Sequence, residues 1–202
     1  DTDRLPEEKA RGISIELGYA YLTVPDHDER LGFIDVPGHE KLVHTMLAGA
    51  SGIDFALLLI AADDGVMPQT REHLAVLSLL GLTRGAVVIT KADRAEPERL
   101  AALAEEARAL VAGTGLAGAP VLTVSATTGQ GLDALRELLF TAARALPPRS
   151  SQGLAARLAV DRAFSLDGVG TGVTGTRHAG EIAIGDELVM QGAHGPVAAR
   201  VK

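Results

Sequence analysis

A chain of 202 residues suits one large domain, or one domain with part of a second. Hydrophobic residues make up 47% of it but aromatics only 3%, with no tryptophan, so any core must be built from Leu, Val, Ile and Ala. A net charge of −7 without a basic run gives no support for DNA or membrane-surface binding while leaving local RNA contacts open, and zero cysteines remove disulfides, thiolate zinc sites and cysteine nucleophiles.

Residues 1–12 are charged and aperiodic, which suits a surface segment. Ile13, Ile15, Leu17, Tyr19 and Tyr21 then alternate with smaller or polar partners and predict a strand. Residues 25–29 break it as a solvated hairpin loop, and residues 31–34 return as a second strand. That strand runs into Ile34-Asp35-Val36-Pro37-Gly38-His39-Glu40, which sets an acid, a bare glycine backbone and a histidine at a strand's carboxyl end. Ligands of open α/β sheets bind in that crevice. A helix is expected over 41–50, with Leu42, Met46 and Leu47 on its buried side.

The run over 55–60 is continuously apolar and too short to span a membrane, as suits a parallel strand covered on both faces. Asp63-Asp64-Gly65 closes it with turn residues, and Pro68 fits the first turn of a helix reaching about Leu80. Two more units follow. A strand over 85–89 precedes helical spacing at Leu100, Leu103, Ala104, Ala107, Leu110 and Val111. A strand over 121–124 precedes Leu132, Leu135, Leu138, Leu139 and Ala142. Such alternation implies a parallel sheet with right-handed crossovers. Residues 147–153 have a linker's composition, and beyond them alternation with recurrent glycines and β-branched residues marks the start of an all-β barrel. The polar opening and the stop at Ala199-Arg200-Val201-Lys202, inside an alternating stretch, suggest a fragment. No signal peptide or spanning segment is legible, so a cytoplasmic location is the expectation.

Three loops carry candidate chemistry. Asp35 can hold Mg²⁺, Gly38 lets its N–H approach a γ-phosphate oxygen, and His39 is placed to orient an attacking water. In isolation the same residues make an ordinary turn. Thr90-Lys91-Ala92-Asp93 follows an apolar strand; its aspartate can accept from guanine's ring N–H and exocyclic amine, and the lysine stem can lie along the base. A Lys and an Asp after a strand are also common surface residues. Ser125-Ala126-Thr127 follows the last apolar strand and means little alone; the order of all three loops carries the weight. Other patterns are decoys. Gly170-Thr171-Gly172-Val173-Thr174-Gly175 fits G-x-G-x-x-G, but no helical pattern follows. His39-Glu40 and His44 have the wrong spacing for a zinc protease, and the adjacent pairs Asp63/Asp64 and Glu105/Glu106 read as solvated charges.

These loops resemble the D-x-P-G-H, N-K-x-D and S-A-x motifs of translational GTPases, with Thr90 in place of the usual asparagine. Arg11-Gly12-Ile13-Ser14-Ile15 resembles their effector loop. Residues 3–12, Gly52-Ile53-Asp54 and Met67-Pro68-Gln69-Thr70-Arg71-Glu72-His73 are similar to the elongation factor Tu superfamily, most of all to its selenocysteine-specific branch. Residues 159–164 and 170–176 resemble that family's second domain, a β-barrel.

The resemblance implies a GTPase that binds GTP/GDP and Mg²⁺ and carries selenocysteinyl-tRNA to the ribosome at recoded UGA codons. It implies Asp35, Val36, Pro37, Gly38, His39, Thr90, Lys91, Asp93, Ser125 and Ala126 as nucleotide contacts, Ser14 and Asp35 as metal ligands, and His39 as the water-orienting residue. Asp161 and Arg162 would lie near the aminoacyl pocket. Residues 1–146 would be a GTP-binding domain without its first strand and phosphate loop, 147–153 a linker, and 154–202 the start of the barrel domain. Without that loop the chain as given is expected to bind GTP weakly or not at all. The RNA hairpin of selenocysteine insertion would be read by further C-terminal domains. An ordinary elongation factor Tu or initiation-type GTPase, or a non-catalytic RNA- or protein-binding remnant, are the alternatives.

Overall fold

The structure, a computed structural model, describes residues 17–25, 30–36, 52–146, 154–192 and 195–202. It divides into two units, Asp1–Pro147 and Pro148–Lys202.

In the first unit, the alternation around Tyr19 and Tyr21 becomes β1 (Gly18–Thr23), which pairs antiparallel with β2 (Arg30–Asp35) from Gly18↔Asp35 to Thr23↔Arg30. The expected start of β1 near Ile13, the helix over 41–50 and the linker over 147–153 lie outside the described residues. The apolar runs become β3 (Ala56–Ala61), β4 (Gly85–Thr90) and β5 (Val121–Thr123), a parallel sheet in the order β3-β4-β5. Between and after them lie α1 (Pro68–Leu79), α2 (Pro97–Val111) and α3 (Leu132–Arg144). Proline stands at the first turn of both α1 and α2, where its missing N–H has no helical partner to lose. The Thr70 hydroxyl accepts from the Met67 N–H at 3.2 Å, which satisfies a backbone donor at the start of α1.

Helical spacing and strand alternation meet in one core. Leu103, Ala107 and Val111 recur every four residues along α2, so they share a face. They pack with Leu74 of α1 against Leu58 and Ile60 of β3 and Val87 and Ile89 of β4. Each large side chain so buried stabilises the fold by roughly 1.5–3 kcal/mol. The central strand β4 is buried from Gly85 through Ile89. The expectation that β3 is covered on both faces holds only in part among the described residues: on the face away from the helices Leu57 and Ala61 are half-buried. Leu58 and Ile60 face the helices, but Leu59, pointing the other way, is 59% exposed.

The second unit contains two antiparallel pairs among the described residues, β6 (Arg157–Leu166) with β7 (Gly170–Ala179) and β8 (Glu187–Gly192) with β9 (Gly195–Arg200). The G-x-G-x-x-G string lies inside β7, which continues as strand to Ala179, so it opens no helix. A parallel α/β unit followed by antiparallel β structure agrees with the fold class read from the sequence.

Candidate functional site

Because β3, β4 and β5 are parallel, the loops after them rise on one edge of the sheet. Backbone bonds carry the ladder past the strands themselves. Ala62 N–H donates to Thr90 O at 2.9 Å, Val124 N–H to Ile89 O at 2.8 Å, and Ala92 N–H to Val124 O at 3.0 Å. The loops at 63–65, 90–94 and 125–130 are thereby fixed to one another before any side chain takes part. An apolar groove lined by Phe55, Gly85, Pro120, Leu138 and Ala142 lies at the opposite ends of these strands and takes no part in this edge.

Lys91, the residue after β4, lies in the left-handed region, at φ 55° and ψ 38°. Among the described residues it is the one non-glycine with positive φ. This turns the chain into the short 3₁₀ turn Ala92–Arg94, closed by Arg94 N–H donating to Lys91 O at 2.9 Å. Strained backbone of this kind persists where the surroundings over-determine it, as at ligand sites. The Lys91 ammonium donates to both carboxylate oxygens of Asp63, at 2.8 and 2.9 Å, and lies 3.6 Å from Asp64. Arg94 Nη1 donates to Asp63 Oδ2 at 3.3 Å. The hydrogen bond from Lys91 holds the Asp63 carboxyl below the usual carboxylate range, and the same bond raises the lysine.

Asp93 is oriented by Ser125, a fully buried residue whose hydroxyl donates to Asp93 Oδ1. The same hydroxyl oxygen accepts from Thr128 N–H at 3.1 Å. Its loop is braced by Ser125 N–H to Gln130 O and Gly129 N–H to Ser125 O, both 2.9 Å. The hydrogen bond from Ser125 holds the Asp93 carboxyl below the usual carboxylate range. A carboxylate offers about four lone-pair sites, so acceptor capacity remains for a ligand presenting adjacent N–H donors. Gly131, at φ 72°, ends this loop and starts α3, and a Cβ there would lie 2.1 Å from Thr123 O.

The sequence-predicted site residues are thus partly gathered. Lys91, Asp93 and Ser125 share one edge; Thr90 is half-buried with its carbonyl in the ladder, and Ala126 is exposed beside Ser125. Asp35 is the exposed last residue of β2, on the antiparallel pair, which shares no strand with the parallel sheet among the described residues, and Val36 follows the strand half-buried. Ser14, Pro37, Gly38 and His39 lie outside the described residues. In the second unit a register break between Val160 and Arg162 leaves Asp161 as the bulged residue, and the Thr174 hydroxyl donates to Asp161 Oδ1 at 2.8 Å. Arg162 sits half-buried opposite Thr174. Bulges of this kind re-aim the side chains around them.

Sequence reasoning missed Asp63. Read as a solvated charge, it is bonded to both Lys91 and Arg94. The register Ala61↔Thr90, which sets the ends of β3 and β4 side by side, is the one signal that could have found it. Glu105 does pair locally, with Arg108 one helical turn away, on the exposed surface.

Comparison with known proteins supplies the context for this edge. Residues 1–145 match the family described as the elongation factor Tu GTP binding domain. The chain is 50% identical over 186 residues to the selenocysteine-specific elongation factor of Desulfomicrobium baculatum, covering 92% of this chain and 29% of that protein. The crystal structure of a bacterial selenocysteine-specific elongation factor, EF-Sec, superposes with a TM-score of 0.89 at 37% identity, covering 100% of this chain and 34% of that one. Elongation factor SelB from Methanococcus maripaludis, solved in complex with the GTP analogue GppNHp, superposes at 0.78 with 28% identity, covering 93% of this chain and 44% of that one. This chain therefore spans less than half the length of each of these relatives. With the family match running from the first residue through α3, the chain belongs to the elongation factor Tu GTP-binding-domain family, and within it is similar to the selenocysteine-specific elongation factors.

Proposed function

We propose that the edge built by Lys91, Asp93 and Ser125 binds the guanine base of GTP or GDP, in a GTPase that delivers selenocysteinyl-tRNA to the ribosome at recoded UGA codons. The observation that carries this reading is the Asp93 carboxylate, aimed by the hydrogen bond from the buried Ser125 hydroxyl. Guanine presents a ring N–H and an exocyclic amine side by side, which suits two oxygens of one carboxylate; adenine presents no such pair. Thr90 and Ala126 flank that base. Residues 1–146 act as the GTP-binding domain, 147–153 as a linker, and 154–202 as the start of a β-barrel domain.

The carboxylate of Asp35 and the hydroxyl of Ser14 are hard oxygen donors of the kind Mg²⁺ takes, and they would hold that ion. The bound ion would neutralise charge on the β- and γ-phosphates. Val36, Pro37 and Gly38 line the approach to the γ-phosphate, and His39 orients the attacking water. This division of labour suits phosphoryl transfer, which asks for placement and charge stabilisation more than covalent help. In the barrel unit, Arg162 supplies a cation for the selenolate of the aminoacyl group, with Asp161 beside it. The insertion-signal RNA hairpin is a further partner of the whole protein.

The test is Asp93→Asn in the protein expressed from its complete coding sequence. An amide offers one acceptor and one donor, which matches xanthine's ring N–H and adjacent carbonyl. We expect the variant to lose GDP affinity by at least about tenfold and gain affinity for XDP. A nucleotide preference unmoved by Asp93→Asn would overturn the assignment. Selective protection of selenocysteinyl-tRNA over cysteinyl- and seryl-tRNA separates this reading from an ordinary elongation or initiation factor.

A further inference from the structure

We infer that Asp63 is a positioning residue for Lys91, anchoring its ammonium so that the lysine stem forms a fixed wall of the base site. The inference rests on the guanine-site reading above and adds a residue that the sequence motifs do not contain.

Three observations carry it. The first is the geometry of the pair. Both oxygens of Asp63 accept from Lys91 Nζ, at 2.8 and 2.9 Å, whereas the neighbouring Asp64 stands off at 3.6 Å. Asp63 is itself pinned from the other side by Arg94 at 3.3 Å, so the acceptor does not swing freely. The second is the backbone on either side. Ala62 N–H bonds to Thr90 O at 2.9 Å, one residue before each partner, which fixes the separation of the two loops. The third is the left-handed turn at Lys91, φ 55°, which sets where its side chain leaves the main chain.

A lysine side chain has four rotatable bonds and loses much rotamer freedom when it must lie against a planar ligand. Holding its far end before the ligand arrives removes part of that loss, the general effect of preorganisation. The two side chains are 41% and 31% exposed, so the pair is screened by salt and its effect is modest.

The test compares release of a fluorescent GDP analogue by stopped flow from the protein expressed from its complete coding sequence. The variants are Asp63→Ala, Asp63→Glu, Lys91→Ala and the double variant. We expect Asp63→Ala to speed release by about two- to fivefold, with a smaller difference at high salt, and Asp63→Glu to recover part of the loss. In the Lys91→Ala background the Asp63 substitution should change nothing further, because Asp63 acts through that lysine. Release unchanged in Asp63→Ala, or accelerated as much without Lys91 as with it, overturns the anchor and leaves the guanine site standing. A wild-type protein that retains no guanine nucleotide overturns the site reading itself. A second measurement needs no nucleotide. In the 202-residue chain, the Lys91 ammonium should give an observable proton–nitrogen NMR signal, protected by its two hydrogen bonds and lost in Asp63→Asn. An equally sharp signal in that variant overturns the anchor.

Discussion

Replacing Gly131 by alanine asks how far the loop carrying Ser125 is held by main-chain packing. Gly131 has φ 72°, and a Cβ there would sit 2.1 Å from the carbonyl oxygen of Thr123 and 3.3 Å from Val124 Cγ1. Gly129, in the same loop, has φ 83° but meets nothing within 4 Å. Both substitutions carry the cost of a side chain in the left-handed region, about 1 kcal/mol. Only Gly131→Ala adds a collision with backbone, relieved by shifting the end of β5 or the start of α3. Forced repacking of that kind costs about 1–3 kcal/mol. We expect Gly129→Ala to lower stability by about 1 kcal/mol and Gly131→Ala by about 2–4 kcal/mol. Urea denaturation followed by circular dichroism at the helical band is the assay. Every helix among the described residues belongs to the first unit, so that signal isolates it even though a chain of two units need not unfold in one step. Gly131→Ala should also disturb the Ala92–Val124 and Val124–Ile89 bonds that carry the Lys91–Asp93 loop. Equal losses of stability in the two variants would refute the backbone collision.

Other outcomes follow from the same structure. Leu103 is fully buried in the core of the first unit, so Leu103→Ala should cost about 2–5 kcal/mol in urea titrations, whereas Leu79→Ala, at a site 86% exposed, should stay within about 0.5 kcal/mol. Ser125→Ala removes the donor that lowers Asp93, so the Asp93 carboxyl should titrate higher, toward its ordinary range, in carbon-detected NMR; an unmoved titration would contradict the bond. The pH dependence has a defined sign at each end. Asp63 and Asp93 are depressed below 3.8, so their stabilisation is present above that value and lost as pH falls through the lower folded-state values. Lys91 is raised above 10.5, so its share is present below that value and lost as pH rises through the higher folded-state value. These groups should leave the urea midpoint flat between about pH 5 and pH 9, and Asp63→Asn should shallow the fall at both extremes.

Much of this protein is legible in short stretches of sequence, because the information is local. The apolar runs that become β3, β4 and β5 are bounded by turn residues, and the four-residue stripe of α2 announces its buried face. Lys91, Asp93 and Ser125 are readable for the same reason: each follows directly on an apolar strand, and strand ends are where parallel sheets present their loops. Asp63 was not readable. Two acids after a strand look like any solvated turn, and the partner of Asp63 stands 28 residues further on. Only the parallel register that lays Ala61 beside Thr90 brings the pair together. The exposure of Leu59 was decided in the same way. A hydrophobic run records that a residue avoids water, but which neighbour covers it depends on the order of strands and the side on which the helices cross.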